Sequence, residues 1–99
     1  MEREELDVYS RAGNHAVIRA PGRRFPGVVV QGDSLSILFG LASSIRARAH
    51  NTNDDELVAD AEELHELLSG YLRHYETVLK EHSIPLPYVR PDQMTDGGA

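Results

Sequence analysis

Alternating apolar and polar residues near the start of the chain predict a short β-strand over residues 6–10. The stretch RAGNH follows, and its Gly13-Asn14 pair tolerates the positive φ that a tight hairpin turn requires. The segment HAVIRA then supplies a second strand. The first twenty residues are therefore expected to form an antiparallel β-hairpin.

The segment VVVQ predicts a third strand over residues 28–31. Pro21-Gly22 is expected to end the second strand, and Pro26-Gly27 to open the third. Three consecutive valines are typical of a strand that is covered on both faces or lies centrally in a sheet. We expect the third strand to have one of these two positions.

The tetrapeptide QGDS predicts the passage from this strand into a helix. Gly32 lets the chain turn without a Cβ clash, and Asp33 or Ser34 can cap a helix by accepting a backbone N–H in its first turn. Apolar residues then recur every three or four positions, which predicts a helix over residues 34–49. The tetrapeptide has one glycine and no nearby lysine, so it lacks the pattern of a phosphate-binding P-loop.

A long apolar stripe predicts a second helix over residues 54–82, with Asn53 or Asp54 as its cap. Close helix packing or a kink would explain Gly70 in its interior. Its extra length compared with the first helix favours an overhang or coverage by a second copy of the chain, so a homodimer is expected. We expect the stripe to face the core, and it steps through Leu57, Ala61, Leu64, Leu68, Tyr71, Tyr75, Val78 and His82.

These elements predict an α+β fold, with a three-stranded antiparallel sheet packed on two helices, the second long. The segment IPLPYV, residues 84–89, can add a fourth edge strand or pack as an extended segment. We expect a single domain over residues 1–90 and a loose tail over residues 91–99.

Composition and charge exclude several classes of protein. The chain has no cysteine, which excludes disulfides, thiolate metal sites and cysteine catalysis. The charged N-terminus and the lack of a long apolar run argue against a signal peptide and a membrane span, so a cytoplasmic protein is expected. The net charge of −6 argues against direct binding of nucleic acid.

The negative charge lies in the second half of the chain. Residues 51–99 carry 3 Lys/Arg and 11 Asp/Glu, a net of −8, whereas residues 1–50 carry 7 and 5, a net of +2. Glu62, Glu63 and Glu66 on the second helix could steer a small basic protein onto the chain. The alternative is that these residues only keep a helix face solvated.

Arg23 and Arg24, beside Phe25 in the loop PGRRFPG, form a second candidate binding site. Two guanidinium groups next to an aromatic ring could bind an anion, a nucleotide or an acidic protein surface. The alternative is that they keep the loop soluble or pair with acidic residues of a neighbouring helix.

Metal binding and catalysis have little support in the sequence. Glu62 and His65 have the Glu-x-x-His spacing of di-iron sites, but the first helix offers no carboxylate beyond Asp33. The motif GDS lacks the flanking glycines of a nucleophile elbow. We therefore expect no cofactor, no metal and no enzymatic activity.

The segments FPGVVVQGDSL and KEHSIPLPY resemble, in that order, motifs of HicB-type antitoxin domains. They also resemble a family of short bacterial domains without an assigned function. The resemblance implies a sheet with helices, no catalytic carboxylates and the binding of a small basic toxin. This chain differs by its long second helix, and it is expected to lack the DNA-binding module that many such antitoxins append.

The function expected from the sequence is that of a non-enzymatic protein-binding module of the antitoxin or immunity type, which occludes a small basic partner. One alternative is a self-associating structural or regulatory dimer. Another is a binder of small anions or nucleotides at Arg23 and Arg24.

Overall fold

The computed structural model describes residues 1–11, 13 and 15–89 of the chain. It confirms an α+β fold with one antiparallel sheet of three strands and two helices, of which the second is longer. No helix in this part of the chain combines the length and the apolar character needed to cross a membrane. The elements are β1 (Asp7–Ser10), β2 (Val17–Arg19), β3 (Gly27–Val28), α1 (Gly32–Ala49) and α2 (Asp55–Glu81).

The sheet belongs to a first compact unit, Met1–Gln31. Strands β1 and β2 pair antiparallel as predicted, and Gly13 in their turn has a φ of 53°. An irregularity between Val8 and Ser10 shifts the register, which is the pattern of a β-bulge. The Arg19 guanidinium donates to Asp7 across the two strands, and this bond raises the pKa of Arg19 above its ordinary value.

Strand β3 is shorter than predicted and lies elsewhere in the sheet. It spans Gly27–Val28 and pairs only with β2, so the strand order is β1-β2-β3 and the central strand is β2. Val28, Val29 and Val30 are all exposed. The expectation of a covered or central third strand is therefore wrong, because one hydrogen-bonding edge and both faces of this segment stay open. The described residues contain no fourth strand.

The turn before β3 follows the predicted chemistry. The Arg23 N–H donates to the Ala20 carbonyl at 3.1 Å, with Pro21 and Gly22 at the two central positions of the turn. Gly22 has a φ of 79°, as the third residue of a type II turn requires.

A second unit begins at Gly32 and contains the helices. Helix α1 already begins at Gly32, so Asp33 and Ser34 lie in its first turn instead of capping it, contrary to the prediction. Asp33 accepts only from the adjacent Ser34 N–H, at 2.8 Å, and its charge suits the positive end of the helix dipole. Gly32 itself is buried against Tyr75 of α2.

Helix α2 begins as predicted at an aspartate cap. Asp54 accepts the Leu57 N–H at 3.0 Å. The helix continues through Gly70, where nothing lies within 4 Å of the position of a Cβ, so the close packing expected there is wrong; the alternative of a kink stays a prediction. Ser83 has a φ of 56° just beyond the helix, and the next N–H, of Ile84, donates back to Leu79 at 2.9 Å.

The helices pack antiparallel around a small core. Its buried apolar residues are Ala42 and Ala49 of α1 together with Ala61 and Leu72 of α2. Small side chains at three of these four positions let the helices approach closely. The long stripe of α2 does not face this core as a whole: Ala61 is buried, whereas Leu57, Leu64 and Tyr71 are exposed. The expectation of a single core-facing stripe is therefore wrong.

The segment after α2 packs without forming a strand. The Tyr88 hydroxyl donates to Glu76 of α2 at 2.8 Å and holds residues 84–89 beside the helix. Of the two alternatives predicted for IPLPYV, the structure has the packed segment. The predicted tail over residues 91–99 lies outside the described residues, and the single domain over residues 1–90 stays a prediction.

Candidate functional site

Helix α1 carries large apolar side chains on a surface that is not buried against α2. Ile37, Leu41 and Ile45 succeed one another at intervals of four residues, and Leu38 lies beside them. Between 43% and 66% of each side chain is exposed. The residues that α1 does bury, Gly32, Ala42 and Ala49, are smaller.

Helix α2 carries a matching row. Leu57, Leu64 and Tyr71 are spaced seven residues apart, with Leu67 beside them, and their exposed fractions lie between 41% and 62%. A spacing of seven residues keeps side chains on one side of a helix over two turns. We call the set on both helices the apolar face; it consists of Ile37, Leu38, Leu41, Ile45, Leu57, Leu64, Leu67 and Tyr71.

The two rows lie on the same side of the helix pair. Ser36, Gly40 and Ser43 of α1 and Ser69 and Arg73 of α2 all line one groove, which shows that these positions share one side. The apolar residues of each helix lie roughly 150° around the helix from its groove residues. They therefore form one continuous surface on the opposite side of the pair.

Contacts between the helices also fix which residues lie at the same height. Arg46 bonds to Glu62, and Gly32 lies against Tyr75. Because the helices are antiparallel, moving one residue forward along α1 reaches the height of the residue one position earlier in α2. On the apolar face, Ile37 is therefore level with Tyr71, Leu41 with Leu67, and Ile45 with Leu64.

Each row carries one charge towards the loop that connects the helices. Arg48 follows Ile45 by one turn on α1, and Asp60 precedes Leu64 by one turn on α2. By the same matching of heights, Arg48 is level with Asp60. Both side chains are exposed, and neither takes part in an ion pair within residues 1–11, 13 and 15–89.

The groove on the opposite side has a volume of about 650 Å³. Phe39 and Leu72 contribute apolar surface, and the packed segment contributes Tyr88 and Val89. Arg73 and Glu76 both line it, so cationic and anionic groups are mixed on its wall. This mixture selects neither an anion nor a cation as a ligand.

Glu62 connects the two helices instead of facing solvent with the other acidic residues. Its Oε1 accepts from Arg46 Nε at 2.8 Å and lies 2.6 Å from His50 Nε2. The hydrogen bonds from Arg46 and His50 lower the pKa of Glu62 below its ordinary value. Of the three predicted acidic residues, only Glu63 and Glu66 remain exposed.

The Glu-x-x-His pair is divided between two sets of contacts. Glu62 is bound by Arg46, whereas the His65 ring packs on Phe39 with 5.0 Å between ring centroids. Among the residues that the structure describes, no three side chains of His, Asp or Glu come together as they would around a metal ion.

Arg23, Arg24 and Phe25 lie in an exposed loop of the first unit. The Arg24 guanidinium stands 5.3 Å from the centroid of the Phe25 ring, a cation–π distance. Arg23 lines a small hollow together with Arg19, Glu5 and Asp7, so cationic and anionic side chains are mixed there and the hollow does not select an anion. The two arginines are thus not brought together around one site.

The predicted turn and cap residues lie at the beginnings of β3 and α1. Pro26 directly precedes β3, and Gly27 is its first residue. Gly32 contacts Tyr75, and Asp33 and Ser34 form the first turn of α1.

The prediction of candidate sites missed the apolar face and the two charges towards its loop end, Arg48 and Asp60. The spacing of seven residues between Leu57, Leu64 and Tyr71 in α2 was the sequence signal from which the apolar face could have been found.

Comparison with known protein families yields a match over most of the chain. Residues 1–88 match a protein family described as a family of unknown function (DUF6959). No curated protein and no solved structure matches the chain. The match agrees with the resemblance to short domains without an assigned function, and it contains no evidence for HicB. Since it covers most of the chain, the protein belongs to the DUF6959 family.

Proposed function

We propose that this chain is a non-enzymatic protein-binding module that acts as a homodimer, with the apolar face as the surface through which two copies associate. The observation that carries the proposal is the apolar face itself. Eight large apolar side chains, each 41–66% exposed, amount to several hundred Å² of contiguous surface, which is more than single soluble chains usually leave uncovered.

The weak core of the helix pair supports the same conclusion. Three of its four buried apolar residues are alanines, so burial within one copy stabilises the helices little. Two helix pairs that join through their apolar faces form a four-helix bundle, a common solution for amphipathic helices. A stable interface usually covers roughly 800 Å² on each partner, and the exposed area of the apolar face is of that order.

A second copy also fits the face in shape. A two-fold axis brings the same surface of both copies together, so an interface of this kind must be complementary to itself. Flat rows of leucine and isoleucine from two antiparallel helices meet this condition, because ridges of one pair can enter the grooves of the other.

The test is sedimentation of the natural chain and of Leu41→Asp. We expect a dimer for the natural chain, and a dissociation constant raised at least about a hundredfold in the variant, because two carboxylates would enter the interface. Ala47→Asp makes the same change on exposed α1 surface outside the apolar face and should leave the dimer intact. A monomeric natural chain, or equal effects of the two variants, would refute the proposal.

A second candidate function is the binding of a small basic protein, as in antitoxins. It is favoured by the exposed Glu63 and Glu66 and by the excess of acidic residues in residues 51–99. The resemblance of FPGVVVQGDSL and IPLPY to HicB-type domains adds to it, and a cytoplasmic location would suit it. Supporting evidence would be a basic protein that is retained by the natural chain at low salt and elutes when the salt concentration is raised. The double variant Glu63→Lys, Glu66→Lys should no longer retain it.

Anion or nucleotide binding at Arg23 and Arg24 receives no support from the geometry of that loop, because Glu5 and Asp7 line the hollow beside Arg23 and offset the charges of Arg19 and Arg23.

A further inference from the structure

We propose that the two copies associate with their helix-connecting loops at the same end of the bundle, so that Arg48 of each copy faces Asp60 of the partner subunit. The inference rests on the proposed function, since it specifies how the apolar faces meet. It assigns a role to two exposed charges that form no ion pair among residues 1–11, 13 and 15–89.

Two-fold symmetry allows two ways of stacking the helix pairs. If the axis runs along the bundle, α1 of one copy lies over α2 of the other, both loops are at the same end and residues at the same height meet. If the axis runs across the bundle, α1 lies over α1, the loops are at opposite ends and the heights are reversed. The two arrangements therefore predict different contacts.

With the axis along the bundle, apolar residues meet apolar residues and the two opposite charges meet. Ile37 would meet Tyr71 of the partner subunit, and Leu41 would meet Leu67 of the partner subunit. At the loop end, Arg48 would meet Asp60 of the partner subunit, and symmetry supplies this ion pair twice. Every neighbouring pair of helices is antiparallel in either arrangement, so the helix dipoles do not distinguish them.

The axis across the bundle does not bring these two charges together. Arg48 would lie over the beginning of α1, near Ser34 of the partner subunit. Asp60 would lie near His74 of the partner subunit. Apolar contacts alone do not distinguish the two arrangements, so the charges select one of them.

The experiment is a charge-reversal mixture of two variants, Arg48→Asp and Asp60→Arg. Each variant by itself places two like-charged pairs in its homodimer, and we expect its dissociation constant to rise about tenfold or more. In the mixture, a heterodimer pairs the new aspartate with the new arginine and the natural Arg48 with the natural Asp60. We expect this heterodimer to form with an affinity within about threefold of the natural homodimer.

Mixing the two variants distinguishes an ion pair between two copies from an ion pair within one copy. Each variant chain carries the same charge at positions 48 and 60, so any recovery upon mixing must come from contact between the chains. Glu63→Arg changes the net charge of the chain by the same amount outside the apolar face and should leave the homodimer unchanged. Circular dichroism of each variant verifies that the helices are intact.

A second measurement uses the absence of cysteine from the chain. Chains with Arg48→Cys and chains with Asp60→Cys should form a disulfide-linked heterodimer when they are mixed and oxidised, in preference to either chain alone. If both charge variants formed homodimers with undiminished affinity, and heterodimers formed only in the proportion that random mixing gives, the same-end arrangement would be wrong while the proposed dimer would stand. Failure of the dimer itself would show in the natural chain and in Leu41→Asp.

Discussion

Tyr75 of α2 lies directly against Gly32, the first residue of α1, so closely that a Cβ at position 32 would overlap the tyrosine hydroxyl and ring. The contact closes the helix pair at the end far from its connecting loop. Gly32 does not have a positive φ, so close approach, and not backbone conformation, is what requires glycine here.

Gly32→Ala is therefore expected to destabilise the chain by about 1–3 kcal/mol, since the methyl group must displace a packed aromatic ring. The measurement is urea unfolding at one fixed protein concentration, because self-association contributes to the apparent stability. Gly40→Ala is the matched control in the same helix: nothing lies within 4 Å of its Cβ position, so a gain of about 0.5–1 kcal/mol is expected. Equal gains from both variants would contradict the role of Tyr75.

The contacts of Glu62 predict a dependence of stability on pH. Its pKa in the folded chain is lowered, so its stabilising contribution is fully present above the ordinary glutamate value of 4.5 and is lost as the pH falls through the folded pKa. In Glu62→Gln, the free energy of unfolding should fall less steeply over this acid range than in the natural chain.

Glu66→Gln is the control for this prediction, because Glu66 is exposed and has no ion pair within residues 1–11, 13 and 15–89. Its acid profile should follow that of the natural chain more closely. If both substitutions changed the profile equally, the bonds from Arg46 and His50 would not be the cause.

The left-handed conformation of Ser83 predicts that glycine is better at this position. With a φ of 56°, an L-residue pays a steric cost that glycine avoids. We expect Ser83→Gly to raise the free energy of unfolding by about 0.5–1 kcal/mol. Ser83→Ala keeps a Cβ and should bring no such gain in thermal or urea unfolding. A loss of stability with glycine would show that the serine has a further role.

Local patterns in the sequence predicted most of the elements. The hairpin around Gly13, the turn at Pro21-Gly22 and the aspartate cap of α2 all follow from the chemistry of a few neighbouring residues. Features that depend on distant residues were not predictable in this way. Whether Glu62 bonds across to α1 depends on Arg46 and His50, which precede it by 16 and 12 positions.

The sequence by itself determined which side chains share a side of each helix, because a period of 3.6 residues fixes this. Only the tertiary structure decided which of these sides is buried. The small side chains of Ala42, Ala49 and Ala61 allow the closest approach of the helices and so occupy their contact. The larger Leu41 and Leu67 are turned outward, and the surface that they create is the one on which the proposed function rests.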